Sequence, residues 1–227
     1  MKLIALVGFI GSGKDTAGKY LVDNFGFTSF SFAESLKDAL ASIFCWDRAL
    51  LEGHTPESRV WRETVDEWWS AKLGIPHFTP RWALQNIGTN VFRQHFHSDI
   101  WIHNIERKLT LLPPDSNVVF IDGRFPNELN LAKKYGGKVI RVKRGPEPEW
   151  FDAARRANGK LWDGIENRNW MSVMEQKKYL EDWRQKIEKD YNIHESEWAW
   201  IGQPIDETIE NDQDIEHLQR EVIRLCL

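Results

Sequence analysis

"GFIGSGKDT", Gly8 to Thr16, decides the fold of this chain. It follows directly on the apolar run Leu3-Ile4-Ala5-Leu6-Val7, which is short enough to be a fully buried strand. Helical spacing begins at Lys14, with Ala17, Tyr20 and Leu21 on one face, and Gly26 ends it. A strand, a glycine-rich loop and a helix in that order form an anion site. Glycines let backbone N–H groups turn inward without steric cost, and the helix start adds the positive end of its dipole. Gly8, Gly13 and Lys14 have the spacing of a phosphate-binding loop, with Gly11 and Ser12 inside it. The alternative is a glycine-rich turn with a surface lysine; the flanking strand and helix favour the phosphate site.

In one place the loop departs from the strict pattern, which wants Ser or Thr directly after the lysine. Asp15 stands there, and the hydroxyl comes at Thr16. Thr16 is the first choice to meet Mg²⁺ or the nucleotide phosphates. Asp15 can hold metal-bound water or be a helix-start carboxylate facing the dipole, and both readings stay open.

Working outward, 28–32 reads as a second strand and 33–44 as a helix with Leu36, Ala39, Leu40 and Ile43 apolar. "ETVDEWWSAKL" reads as helix and "GIPHFTP" as loop. A long helical region starts near Arg81 and runs, with a break, to Leu112. Strands follow at 118–122 and 138–142 around the helix "NELNLAKKYGG". A final strand, "ETIEN", precedes a closing amphipathic helix. Strands alternating with helices predict an α/β fold with a parallel sheet covered on both faces. Residues 145–205 break this rhythm and read as a lid or insertion.

The 227 residues are 41% hydrophobic, enough for one core of ordinary size with a smaller subdomain. A net charge of −4 argues against a polynucleotide partner, whose backbone calls for a basic excess. Cys45 and Cys226 are too far apart in sequence for a metal-ligand motif and suggest a reducing compartment. No segment has the length of a membrane span, so the expectation is a soluble, cytoplasmic protein. Twelve tryptophans are read first as packing and second as base-stacking surfaces.

"VVFIDGRFPNE", 118–128, puts Asp122 at the carboxyl end of a buried strand, where ligands collect in parallel sheets. Asp122 there can hold the water shell of Mg²⁺, and Arg124 can reach a phosphate. The alternative makes Asp122 the cap of the next helix. Arg81, Gln85, Thr89 and Arg93 recur every four residues, a polar stripe on a helix opposite Leu84, Ile87 and Val91. Gly88 leaves room for a ligand or another backbone. With Lys37, two arginines suit a phosphate monoester, against the alternative of a solvated polar face.

Three resemblances add to this reading. The Asp15-Thr16 pair resembles the Gly-Lys-Gly-Thr loop of nucleoside monophosphate kinases, with Asp15 in the second glycine's place. "IDGRFPN" resembles the "DGFPR" stretch of adenylate kinases, with the arginine ahead of the Phe-Pro pair. The ordered set "GKDT", "FAESLKDAL", "LQNIGTNVFRQHFHSDIWI", "IDGRFPNELNLAKKYGGKVIRV" and "HESE" resembles the deoxynucleoside monophosphate kinases of tailed bacteriophages, over roughly 1–45, 80–145 and 190–213.

That resemblance implies one P-loop NTPase-fold kinase domain over 1–227, with a helical acceptor-binding region at 33–112 and a lid at 145–205. It implies transfer of the ATP γ-phosphate, with Mg²⁺, to a deoxynucleoside 5′-monophosphate, and it suggests a homodimer. Lys14, Asp122 and Arg124 are the candidate catalytic residues. Thr16, Asp15 and Asp122 are the metal candidates. Acceptor contacts are implied near Lys37, Arg81 and the Gly88-Thr89 turn, with Gln85 and Arg93 beside them. Asn211 and "HESE" are implied on the nucleotide side. Arg144, Arg155, Arg156 and Arg168 are candidate lid cations. Residues 46–79 and 146–190 depart from the family pattern. The rival readings are a kinase for dephospho-coenzyme A or another small acceptor, a non-catalytic nucleotide-binding module and, against the charge, a polynucleotide 5′-kinase.

Overall fold

The computed structural model describes residues 1–159 and 172–227. Two compact units emerge: Met1–Ser29 with Pro114–Leu227, and Phe30–Pro113.

The first unit is built on a five-stranded parallel sheet. Its strands are β1 (Lys2–Val7), β2 (Phe27–Phe30), β3 (Asn117–Phe120), β4 (Lys138–Lys143) and β5 (Glu207–Glu210), in spatial order β2-β3-β1-β4-β5. β1 pairs with β3 from Lys2↔Asn117 to Ala5↔Phe120, and with β4 from Ile4↔Lys138 to Val7↔Arg141. The central position of β1 explains its unbroken apolar run, because both faces and both edges are covered. Helix α1 (Lys14–Phe25) carries the chain from β1 toward β2, whereas the helix after β3 leads to β4 on the other side. The loops after β1 and β3 therefore diverge from neighbouring strands. That divergence opens a crevice at their carboxyl ends, where α/β sheets bind ligands.

On one face, Ile4, Leu6, Val119, Ile140, Val142 and Ile209 pack with Ala17 and Leu21 of α1 and with Leu218, Val222 and Leu225 of the closing helix. Alternation along β1 and β4 sends Ala5, Val7 and Arg141 to the other face. There the helix over Pro126–Lys134 packs on β1 and β4.

The second unit is helical: α2 (Glu34–Phe44), a 3-10 turn (Leu50–Glu52), α3 (Pro56–Glu63), α4 (Glu67–Leu73), α5 (Pro80–Gln85), a π-helical stretch (Asn86–Phe96) and α6 (Ile100–Leu109). Side chains of Thr55, Asp66 and Thr79 cap α3, α4 and α5, each satisfying an orphan N–H of the first turn. An aromatic nest forms its core. Phe44 stacks on Trp46 at 4.6 Å and meets Trp69 and Phe78 edge-on or tilted. The indole N–H of Trp46 donates to Asp66 (2.8 Å), and that of Trp69 to the Phe44 carbonyl (3.0 Å). These tryptophans serve burial, with their polar tips satisfied.

In the first unit the chain continues with α7 (Pro126–Lys134), α8 (Phe151–Ala157), α9 (Val173–Lys186) running into a π turn (Ile187–Tyr191), the four-residue α10 (Glu195–Trp198) and α11 (Ile215–Cys226). Among the described residues, no helix is long and apolar enough to cross a membrane.

Candidate active site

The site grows from the turn after β1. Gly8 and Gly13 have φ of 147° and 100°, a region that excludes L side chains. A Cβ at Gly8 would strike the Val142 carbonyl, and one at Gly13 would strike the Asn211 amide. Space as well as φ therefore requires glycine at both positions. Ser12 N–H donates to the Phe9 carbonyl (3.2 Å), and the Asn211 amide donates to the Ser12 carbonyl (2.8 Å). Asn211 is itself fixed by its N–H to the Lys143 carbonyl (2.7 Å). The loop is thus tied to the ends of β4 and β5. The Ser12 hydroxyl is buried and has no hydrogen-bond partner among the described residues. A buried donor of this kind fits a phosphate oxygen.

Phe9 anchors the loop from outside. Its ring lies 5.4 Å from that of Trp150 and 5.1 Å from that of Trp200. The Arg141 guanidinium sits 5.1–5.8 Å from the rings of Phe9, Phe151 and Trp200, and it pairs with Glu147 at 2.6 Å. Aromatic residues from both ends of the 145–205 insertion thereby pack against the phosphate loop.

Lys14 is 6% exposed, its Nζ 3.5 Å from the Phe9 carbonyl. Burial lowers its pKa, and Arg124 lowers it further, against the fields of Asp15, Glu197 and Asp122. These charges share one neighbourhood although 183 positions separate the first from the last of them (197 − 14). Arg124 NH1 donates to Glu197 (2.7 Å) and to the Ser196 carbonyl (3.3 Å). Burial opposes its charge, but Glu197, then Asp122 and Glu128, raise its pKa above the usual value. Asp122 lies two residues beyond β3, beside the β1 loop, as its place at the strand's carboxyl end predicts.

Asp122 is not the cap of the following helix. That role falls to Glu128, 3% exposed, which accepts from the backbone N–H of Arg124 (2.6 Å) and Phe125 (3.1 Å) at the start of α7. Pro126 at the first helical position and Glu128 two residues later carry that signal in sequence. Glu197 carries no such signal, because its partner is 73 residues away.

Asp15 and Thr16 are exposed in the first turn of α1. A hydroxyl with the carboxylates of Asp15 and Asp122 is an all-oxygen donor set of the kind that suits Mg²⁺.

The remaining nucleotide-side candidates fall in the same unit. Arg144 follows β4, and its Nε donates to the Asn211 carbonyl (3.1 Å), which places it beside the loop support. Arg155 lies 3.8 Å from Asp152. Arg156 reaches the Tyr179 hydroxyl (3.4 Å) and stacks over Trp183 at 5.2 Å, joining α8 to α9. Arg168 lies outside the described residues.

In the second unit, Lys37 pairs with Glu52 at 2.6 Å, and Glu52 also pairs with Arg48. Burial pushes the Glu52 carboxyl up, but Lys37 and Arg48 bring it below its ordinary value. Arg81 pairs with Glu63 at 3.3 Å, and Arg93 donates to the Ser98 carbonyl at 3.3 Å.

The four-residue stripe expected from Arg81 to Arg93 does not persist. Thr89 is buried at 5%, and Val91 is 52% exposed. The cause is the switch from α to π geometry after Gln85. With i→i+5 bonds each turn holds more residues, so residues four apart no longer stack. The space above Gly88 is taken by the Leu36 side chain, 2.5 Å from where a Cβ would stand, and the Gly88 carbonyl accepts from the Trp101 indole (3.1 Å).

His97, Asp99 and His103 form the group of metal-ligand type among the described residues. His97 Nδ1 already accepts from the Asp99 N–H (3.0 Å), which spends the lone pair.

A glycine cradle, a buried lysine and a paired arginine at the carboxyl edge of a parallel sheet define a P-loop phosphotransferase of the α/β class. Comparison with known proteins narrows this. A protein of Acanthamoeba polyphaga mimivirus described as a deoxynucleotide monophosphate kinase is 37% identical over 154 residues, 63% of this chain and 75% of the relative. The chain belongs to the deoxynucleotide monophosphate kinase family. The deoxynucleoside-5′-monophosphate kinase of Escherichia phage T5 is 27% identical over 188 residues, 58% of this chain and 72% of the relative. No family model matches. Among solved structures, shikimate kinase from Aquifex aeolicus aligns over 99% of this chain and 95% of its own, with 15% identity and a TM-score of 0.40. Dephospho-CoA kinase from Campylobacter jejuni aligns over the same shares with 17% identity and a TM-score of 0.36.

Proposed function

We propose that this chain transfers the γ-phosphoryl group of ATP to a deoxynucleoside 5′-monophosphate, giving the diphosphate for viral DNA-precursor synthesis in the host cytoplasm. The observation that carries it is the meeting of Lys14, Arg124 and Asp122 beside the Gly8–Thr16 loop, in a chain of this family.

Backbone N–H groups of Gly11 and of Gly13 to Thr16 hold the donor phosphates, and the Ser12 hydroxyl donates to one of their oxygens. Lys14 neutralises the outer phosphates. A phosphate beside it offsets the burial that lowers its pKa, so binding and protonation of Lys14 support each other. Thr16, Asp15 and Asp122 would hold Mg²⁺, which when bound neutralises charge on the phosphate oxygens. Arg124 stabilises the charge that spreads over the transferring group. Asn211 keeps the loop in shape. Lys37, Arg81 and Arg93 are the cations offered to the acceptor phosphate, which displaces Glu52 from Lys37 and Glu63 from Arg81. Arg144, at the end of β4, and Arg155 and Arg156 of the insertion add positive charge, and the insertion excludes water so that ATP is not hydrolysed. No covalent enzyme intermediate is required, since the work is positioning and charge stabilisation.

The test is ADP release from ATP and Mg²⁺ with dAMP, dGMP, dCMP, dTMP, 5-hydroxymethyl-dUMP, the ribonucleotides and dephospho-coenzyme A. Turnover with at least one deoxynucleotide is expected, with loss in Lys14→Ala. Turnover with dephospho-coenzyme A alone would reassign the acceptor. Tight ATP binding with no acceptor-dependent ADP would leave a nucleotide-binding module.

A further inference from the structure

The stretch "HESE", His194 to Glu197, has no part in the chemistry above, yet its last residue touches it. The chain here is held stiffly. The Asn158 amide donates to the carbonyls of Trp198 (3.1 Å), Ala199 (3.3 Å) and Ile201 (2.9 Å). The Trp200 indole donates to the Glu197 carbonyl (3.1 Å), and Trp198, Trp200 and Ile201 are buried. His194 Nδ1 accepts from the Ser196 N–H (3.2 Å) and closes the turn. The Glu197 side chain, 16% exposed, is thus presented from a fixed backbone.

Arg124 receives it. Both hydrogens of NH1 are engaged, one by Glu197 (2.7 Å) and one by the Ser196 carbonyl (3.3 Å). The Arg124 backbone is fixed separately by Glu128. Nε and NH2 make no hydrogen bond among the described residues. Those two N–H groups form the planar fork that meets two oxygens of one phosphate. The carboxylate also lets two cations, Lys14 and Arg124, stand close together.

We infer that Glu197 is a positioning residue. By holding NH1 of Arg124 it aims the Nε/NH2 fork at a nucleotide phosphate, and it does so through Arg124 and not by touching substrate. This rests on the phosphoryl-transfer reading above.

A double-mutant cycle on the full chain tests it, with kcat and the KM for ATP measured for wild type, Glu197→Gln, Arg124→Ala and the double variant. Glu197→Gln should lower kcat by roughly 10- to 100-fold, the scale of a misplaced catalytic group, with the KM for ATP little changed. Glu197→Asp should recover part of the loss. In the Arg124→Ala background, Glu197→Gln should cost nothing further. Wild-type rates in Glu197→Gln, or the same fold loss in both backgrounds, would overturn the inference. If Glu197→Gln fails to fold by circular dichroism, the cycle is read with Glu197→Asp. If wild type turns over no monophosphate, the functional reading falls by itself. The same cycle is then read on the rate of ADP formation from ATP without an acceptor, where the same non-additivity is expected.

Discussion

Gly13→Ala tests how the phosphate loop is built. Two independent costs meet at this residue. Its φ of 100° is open to glycine and costs an L residue about 1–2 kcal/mol. A Cβ would also strike the Asn211 amide, the group that donates to the Ser12 carbonyl. Displacing that buried bond costs about 1–3 kcal/mol, so Gly13→Ala should destabilise by about 2–5 kcal/mol. Asn211→Ala alone removes the same bond and should cost about 1–3 kcal/mol. In the double variant the clash is gone and the bond is lost only once. Its cost should equal that of Gly13→Ala, and the coupling energy should be about 1–3 kcal/mol. Urea unfolding midpoints at constant m-value measure all four corners of the cycle. Strict additivity, with a coupling energy below about 0.5 kcal/mol, would refute the view that the Gly13 and Asn211 effects share one hydrogen bond.

Further outcomes follow from other residues. Burial raises the Cys226 thiol to about 11, while Cys45 is exposed. Iodoacetamide at pH 8 should therefore label Cys45 quickly and Cys226 only on unfolding, as mass spectrometry of timed samples will report. The folded Glu52 carboxyl lies below its ordinary value, so its contribution is present above the unfolded pKa and is lost as pH falls through the folded one. Glu52→Gln should lower stability at pH 7 and flatten the loss below about pH 4.3, read from unfolding midpoints across pH. Gly88→Ala pushes a methyl against Leu36 at the end of a flexible side chain. It should cost about 1–3 kcal/mol, and Leu36→Ala in the same chain should relieve part of that overpacking.

Much of the scaffold was legible because local patterns were strong. The apolar run of β1, the glycines of the loop and the start of α1 at Lys14 report one another within a few residues. Asp122 was legible for a similar reason, since a carboxylate just past a buried strand in a parallel sheet has few places to go. Glu128 carries its own signal in Pro126 and the capping spacing.

Other features had no local trace. Periodicity from Arg81 to Arg93 assumed one helical geometry, and the π turns after Gln85 buried Thr89 and exposed Val91. Lys37 and Arg81 read as open cations, yet each is paired with a glutamate from another element. The tie from Asn211 to Ser12 spans 199 positions, and that from Glu197 to Arg124 spans 73. By itself the sequence determined that a phosphate loop sits on a parallel sheet, because strand burial, glycine freedom and helix dipoles act between neighbours in the chain. Only the tertiary structure decided which carboxylate holds which cation, because folding brings those charges together from distant segments and their pairing depends on distance in space.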